Sequence, residues 1–404
     1  MRILHAPTNI ANQAWCIATG QRALGHDVEV WHYGANPFAY PCDRAVAFPP
    51  ENPGDVFDLM VEALGRFDVF HFHFGRSLIP RETGSIPGLW DLPLYRALGK
   101  RVFFTFHGSD VRLKSIHVAE NEWSYYKFAE VVCDEDDIAK RLEIIRTYAN
   151  GMFVCSPVNT RFVPEAAFHP RAIVTEDWPY VGPTRTDDPL VVHIPSARGT
   201  KGTDVVQRVV ADAQARGLKF EFRILENLPH AEMKRVLADA DIVVDNLLLG
   251  DYEVTGLEAL CLGKTVITRM DEAVFERMGE VPILNANPDS FVEVLEKAVK
   301  GSRLRKKLAE EGRQFVEKHH DATVVAGQLI AAYEKPQRPL PLGFPDWASL
   351  TDLRKEERLE KKILELQTLL RTRAGEAKPV RPPLGRFARL GAKVDAGIRK
   401  LRRR

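Results

Sequence analysis

The sequence predicts an α/β protein of two Rossmann-like domains. Each is expected to be a parallel, doubly wound sheet facing a shared cleft, with a helical, basic tail after them. Three observations carry this. Short β-branched and aromatic runs alternate with amphipathic helical stretches along residues 1–335, the pattern in which helical crossovers join parallel strands. A Pro-rich stretch without hydrophobic period, residues 168–188, divides that alternation into two series. A length of 404 residues exceeds what one hydrophobic core usually serves, and allows two domains and an appendage.

In the first series, residues 2–6 read as a buried strand, 14–24 as a helix ended by Gly25-His26, and 28–32 as the next strand. Helix 56–64 leads to strand 69–74, helical segment 92–98 to strand 101–106, and helix 137–148 to strand 152–155. After the linker, strands at 190–195, 220–225, 241–245, 265–268 and 282–284 alternate with helices at 203–216, 230–238, 254–262 and 288–300. Gly263 stops helix 254–262. Helices 304–319 and 322–333 close the body. The expected partition is therefore 1–167, linker 168–188, second domain 189–318, closing helix 319–335 and charged tail 336–404.

Five scattered cysteines, Cys16, Cys42, Cys133, Cys155 and Cys261, contain no C-x-x-C pair, which predicts reduced thiols and a cytoplasmic protein. Residues 1–7 open as a strand rather than a signal peptide, and no apolar run is long enough to span a membrane. The net charge of +1 conceals an asymmetry: residues 336–404 hold 18 Lys/Arg against 8 Asp/Glu, so an acidic body carries a basic tail. Within it, Leu359, Ile363, Leu366 and Leu370 follow 4-3-4 spacing. That suits either a homo-oligomer seam through residues 353–370 or a solvated or body-packed helix. Phe387, Leu390, Val394, Ile398 and Leu401 recur at helical spacing among Arg386, Arg389, Lys393, Arg399 and Lys400. Residues 386–404 read either as an interfacial helix on an anionic membrane surface or as a disordered basic tail. Nucleic acid is not an expected partner, because no aromatic platform accompanies the charge.

Ligands of doubly wound sheets bind beyond the carboxyl ends of the strands, so the loops there hold the candidates. The loop after the first strand, TNIANQ, lacks G-x-G-x-x-G, which argues against a nicotinamide or flavin dinucleotide. Its Asn12 and Gln13 offer amide donors to a substrate, with helix capping by Asn12 the alternative. His107 follows strand 101–106 in FHGSDVR, with Asp110 and Arg112 close behind. It is placed either to take a proton or bind a substrate oxygen, or to hydrogen-bond its own loop. His71 and His73 share one strand face; without a third ligand they read as buried, hydrogen-bonded residues rather than a metal site. SARGTKG, residues 196–202, brings Arg198 and Lys201 to a helix start, a receptor for a diphosphate or a solvated loop. Finally, GDYEVTGLEALCLGKTVITR, residues 250–269, turns into helix 254–262 with Glu253, Val254 and Thr255 at its N-terminus. Glu258 lies one turn in, where a carboxylate can bridge ribose hydroxyls; an ordinary strand–helix corner is the alternative.

Together, LGHDV at 24–28, FHGSDV at 106–111, SARGTKG and LEALCLGKTVI at 257–267 resemble the retaining, nucleotide-sugar-dependent glycosyltransferases of the GT-B fold, in particular the family 4 group. The resemblance covers about residues 1–335. It implies a nucleoside diphosphate sugar as donor substrate, with no cofactor and no metal. His107, Arg198 and Lys201 are the implied catalytic set: the two cations hold the diphosphate, and His107 meets the transferred sugar from the opposite wall. Glu253, Val254, Thr255 and Glu258 complete the implied donor site, Glu258 on the ribose. The acceptor, a glycan, lipid-linked saccharide or surface-polymer intermediate, would lie in the first half beside Asn12, Gln13, Asp110 and Arg112. The chain departs from the pattern at three places. Gly250 stands where the family carries a sugar-binding Glu, with Asp251 or Glu253 as substitutes; Glu253 stands where its phosphate corner carries Gly; the first-strand loop lacks paired glycines. Those departures motivate a second reading, a non-catalytic sugar-nucleotide or glycan-binding subunit of a glycan-assembly complex. A GT-B-like epimerase or phosphorylase is a third.

Overall fold

Residues 1–48, 53–79 and 88–335 are described by the computed structural model. The apolar strand sequences are those of strands covered on both faces, and every strand pairing among the described residues is parallel. The first half runs β1 (Arg2–Ala6), α1 (Gln13–Ala23), β2 (Asp27–Tyr33), β3 (Arg44–Val46), α2 (Pro53–Arg66), β4 (Val69–His73), α3 (Leu92–Ala97), β5 (Arg101–Phe106), α4 (Lys114–Glu120), α5 (Glu135–Tyr148), β6 (Gly151–Val154) and β7 (Ala167–Phe168). Its strands form a seven-stranded sheet ordered β3-β2-β1-β4-β5-β6-β7. The second half runs β8 (Leu190–His193), α6 (Arg198–Lys201), α7 (Thr203–Ala215), β9 (Glu221–Ile224), α8 (His230–Asp239), β10 (Ile242–Val244), α9 (Val254–Cys261), β11 (Thr265–Thr268), α10 (Glu272–Met278) and β12 (Leu284–Asn285). The helices α11 (Phe291–Lys300), α12 (Ser302–His319) and α13 (Ala322–Tyr333) follow. The second sheet is five-stranded, ordered β12-β11-β10-β8-β9.

Side-chain alternation divides the first core into two layers. Leu4, Phe70, Phe72, Phe104 and Phe106 pack with α2, α3 and α5 on one face, while Ile3, Val28, Val69, Phe103 and Phe153 pack with α1 on the other. That second face is completed from the far end of the chain. Val325, Leu329, Ile330 and Tyr333 of α13 are buried in the same layer as Ile17 and Ala18 of α1. The closing helix thus returns to the first sheet rather than covering the second.

The α-helices and strands absent from the sequence reading are short: edge strands β3 and β7, the single turn α6, and the seven-residue helices α4 and α10. Two- and three-residue strands and single turns are too brief to show a hydrophobic period. The Pro-rich linker is also more structured than its composition suggests. His169, Arg171, Ala172, Ile173 and Trp178 are buried. The Ile173 N–H donates to His320 O at 2.7 Å and the Ala322 N–H to Ile173 O at 2.8 Å, so the outward and returning crossings are stitched together. Among the described residues no helix is long and apolar enough to cross a membrane. The expected oligomer helix 353–370 and membrane-binding segment 386–404 lie outside the described residues.

Candidate functional site

A cavity of about 450 Å³ opens at the carboxyl ends of both sheets, where doubly wound folds place their ligands. The first half supplies the loop after β1 (Ile10, Ala11, Gln13), His107 after β5 and Cys155 after β6; the second supplies Pro195 to Ala197 after β8 and Glu253 to Thr255 at the start of α9.

The turn α6 decides the fate of the two cations in SARGTKG. It carries Lys201 inward, 3% exposed, and leaves Arg198 outside. Lys201 Nζ stands 2.9 Å from Asp245 Oδ1 and 3.4 Å from Glu253 Oε2. Burial lowers its pKa, yet the two carboxylates raise it further, so the ammonium stays charged. Arg198 instead donates to Glu226 at 2.7 Å, Gln207 at 2.5 Å and Asp204 at 3.2 Å, and it does not line the cavity.

The second cation in the cavity comes from the linker. Arg171 is buried, donates to Asp251 Oδ2 at 2.8 Å and to Tyr252 O at 2.7 Å, and lies 3.6 Å from Glu253 Oε1. Nothing local in the sequence marks it; the stitched crossings at Ile173 bring it to the start of α9, where Asp251 and Tyr252 hold it. Glu253 therefore points inward, between Lys201 and Arg171. Burial pushes its carboxyl up, but Lys201, Arg171 and Arg112 outweigh that and hold it below the ordinary range. Its side chain remains about a third exposed to the cavity (31%).

Gly250, by contrast, is away from the cavity lining. Its φ of +87° favours glycine, and a Cβ there would stand 2.6 Å from the Asp271 carboxylate. A side chain at this position would be strained and would press on Asp271, whereas the Glu253 carboxylate lines the cavity. Asp251 is buried in its pair with Arg171.

Helix α9 opens onto the cavity through Val254 and Thr255, and no side chain caps its N-terminus. An uncapped helix start directs unpaired N–H groups and a partial positive charge outward. Glu258, one turn in, is 3% exposed. Its Oε1 accepts from His230 Nε2 at 2.7 Å, whereas its buried Oε2 meets no donor among the described residues. Burial raises its pKa. His230 also donates its backbone N–H to Phe38 O at 3.2 Å, and its ring meets Tyr40 edge-on at 5.1 Å, so the two halves touch at this end.

On the opposite wall, His107 lines the cavity. Asp110, placed by sequence at an acceptor site, does not; its carboxylate accepts the N–H groups of His107 at 3.0 Å and Gly108 at 2.7 Å and builds the loop. Arg112 does reach the cavity, over Gly108, where a Cβ would meet Arg112 Nη2 at 3.0 Å. Its guanidinium donates to Tyr125 OH at 3.4 Å. Gln13 lines the cavity but spends its amide on the linker, exchanging hydrogen bonds with Ala172 N (2.8 Å) and Ala172 O (3.1 Å). Asn12 lies outside the lining and does not cap α1; its side chain accepts from Asn9 Nδ2 at 3.2 Å, and Asn9 Oδ1 receives the Trp15 N–H. No group of three or more His, Cys, Asp or Glu positioned to hold a metal occurs among the described residues. All five cysteines are free.

Comparisons with known proteins agree with this architecture. A family model described as glycosyl transferase-like matches residues 202–331, which span α7 to α13 and include Glu253 and Glu258. No curated protein matches the chain by sequence. Among solved structures, HepE of Anabaena in complex with UDP and glucose is similar at 11% identity and TM-score 0.56, over 82% of this chain and 98% of that one. Sucrose-phosphate synthase from Thermosynechococcus elongatus is similar at 14% identity and TM-score 0.56, with the same coverage. The catalytic domain of starch synthase IV from Arabidopsis thaliana, bound to ADP and acarbose, is similar at 12% identity and TM-score 0.56, again over 82% and 98%. Two parallel doubly wound sheets with a cavity at their carboxyl ends, joined by a buried double crossing, give this chain the GT-B fold, and its residues 202–331 match a glycosyl transferase-like family model.

Proposed function

We propose that this protein is a glycosyltransferase that moves a sugar from a nucleoside diphosphate sugar to an acceptor hydroxyl, with retention and without a metal. The observation that carries this is the buried, unpartnered Oε2 of Glu258, one turn inside the uncapped start of α9 and lining the same cavity as Lys201. A buried carboxylate oxygen without a donor is costly until a ligand hydroxyl supplies one. The ribose of the donor fits Glu258; its diphosphate fits the α9 N-terminus, Lys201 and Arg171. These cations and the helix dipole offset the charge of the leaving diphosphate. Arg198 in this reading is an outer residue that steadies α6. His107 and Arg112 form the opposite wall, toward the transferred sugar and the acceptor. UDP or ADP in two of the similar structures supports a nucleotide in this place. The acceptor is a glycan, lipid-linked or surface-polymer intermediate, met in the cytoplasm at the inner face of the membrane; the basic composition of residues 386–404 supports that placement.

The test is release of nucleoside diphosphate from a panel of nucleotide sugars, with and without glycan and lipid-linked acceptors. Acceptor-dependent release is expected. Binding without release across the panel favours the non-catalytic subunit, a reading motivated by the grip of Lys201 and Arg171 on Glu253. Acceptor-independent epimerisation, or release that needs phosphate, overturns transfer in favour of an epimerase or phosphorylase.

Glu253 sets a second prediction. Its carboxylate occupies the two cations that a diphosphate needs, so binding must displace it. Glu253→Gly is expected to tighten nucleoside diphosphate binding by about tenfold or more, or about 1.4 kcal/mol, as read by calorimetry. Weaker binding in the variant makes Glu253 a donor contact rather than a competitor.

A further inference from the structure

Behind His107 the first sheet carries a row of buried polar side chains on the face covered by α1 and α13: His5, His71, His73 and Thr105, each 0% exposed. Gln21 of α1 and Tyr333 of α13, also 0% exposed, close it. These groups form one unbranched hydrogen-bonded chain. His169 Nδ1 lies 2.8 Å from Pro170 O, and His169 Nε2 lies 3.0 Å from Thr105 Oγ1. Thr105 Oγ1 lies 2.7 Å from His71 Nε2, and His71 Nδ1 meets Tyr333 OH. Gln21 links Tyr333 OH at 3.3 Å to His5 Nε2 at 2.8 Å. His5 Nδ1 lies 2.9 Å from His73 Nε2, and His73 Nδ1 lies 3.1 Å from His107 Nε2.

A carbonyl only accepts, so Pro170 sets the direction of the whole chain. His169 must donate from Nδ1, which leaves its Nε2 to accept from the Thr105 hydroxyl. Thr105 then accepts from His71 Nε2–H, and His71 Nδ1 accepts from the Tyr333 hydroxyl. Tyr333 accepts from the Gln21 amide NH₂, which turns the Gln21 carbonyl toward His5 Nε2–H. His5 Nδ1 accepts from His73 Nε2–H, and His73 Nδ1 accepts from His107 Nε2–H. One neutral arrangement satisfies every link. Burial supports neutrality throughout: it pushes His5 and His169 down to about 4 and His107 down to about 3, and holds His71 and His73 well below the ordinary imidazole range.

We propose that His73, His5, Gln21 and Tyr333 are positioning residues that fix His107 as its Nε2–H tautomer, so that its Nδ1 presents a lone pair to a substrate hydroxyl in the cavity. Among the described residues Nδ1 meets only the Cys155 thiol, at 3.7 Å, and that thiol lies closer to Phe106 O, at 3.4 Å. Cys155 itself lines the cavity, so the free nitrogen faces that space. Through Tyr333, the closing helix reports to the wall of the cavity opposite Glu258. The proton state of His107 is set by groups no substrate touches.

The role in transfer rests on the function proposed above; the tautomer does not, and the test separates them. In the full-length protein, two-bond ¹H–¹⁵N correlation spectra, with His107 assigned by a His107→Asn variant, are expected to show the proton on Nε2 and an unprotonated Nδ1. Tyr333→Phe and, separately, Thr105→Val cut the chain at different links. Each is expected to yield mixed tautomers at His107 and to lower turnover about tenfold, with nucleoside diphosphate Kd unchanged. A proton on Nδ1 in the parent protein overturns the proposal, as does a His107 tautomer unmoved in both variants. If no nucleotide sugar turns over at all, the donor reading fails while the spectra still decide the chain.

Discussion

Lys201→Met is expected to abolish measurable binding of nucleoside diphosphates. The side chain keeps most of its length, so the loss isolates the charge. A buried ammonium facing a diphosphate makes charge-assisted hydrogen bonds, and losing them costs about 3 kcal/mol, over a hundredfold in Kd. The same substitution leaves Asp245 without its cation. Its Oδ2 still accepts the Glu253 N–H at 2.7 Å and Asn246 Nδ2 at 3.4 Å. Even so, breaking a buried ion pair from one side destabilises by about 3 kcal/mol. Calorimetry with a panel of nucleoside diphosphates must therefore be read alongside a thermal melt. A folded variant with parental affinity ends the assignment of Lys201 to the diphosphate. A folded variant that no longer binds supports it, and Arg198→Met, changing a cation that the fold keeps outside, is the matched control with affinity preserved.

The largest expected loss of stability falls at Gly20, in the middle of α1. A Cβ there would overlap the carbonyl group of Ala322 and stand 2.9 Å from Thr323 N, the backbone that begins α13. No side chain can turn aside to make room. At an ordinary exposed helix position Gly→Ala stabilises by about 1 kcal/mol; here the sign reverses. Gly20→Ala forces α13 off α1 and uncovers Val325, Leu329 and Tyr333, with an expected loss of about 3 kcal/mol or more. Gly327, in α13, is the control. A Cβ added there would meet nothing within 4 Å, so Gly327→Ala is expected to be neutral or stabilising. Urea denaturation measures both. A Gly20→Ala protein as stable as its parent refutes the close approach of the two helices.

The fold was largely legible in the chain, because long strands and helices announce themselves by period. β5 reads RVFFTF and α9 reads VTGLEALC, and each is apolar for a reason that depends on burial alone. The strand ends then located the candidate loops, since doubly wound sheets bind at their carboxyl ends. What failed was resolution within a loop. SARGTKG shows two cations three residues apart, but which one enters the cavity depends on the orientation of the single turn α6. FHGSDVR offers three candidates, His107, Asp110 and Arg112, of which Asp110 turned out to build the loop that holds His107.

The sequence by itself determined two parallel α/β halves, the loops that face their shared cavity, and Glu258 and His107 as residues of its lining. Those follow from local period and from residue chemistry at strand ends. Only the tertiary structure decided the rest. It brought Arg171 out of the linker to the start of α9, turned Glu253 inward between two cations, and returned α13 to the first sheet so that Tyr333 joins the chain behind His107. Each of these is a contact between residues distant along the chain. No local pattern encodes such a pairing; it arises when two packed layers close on each other.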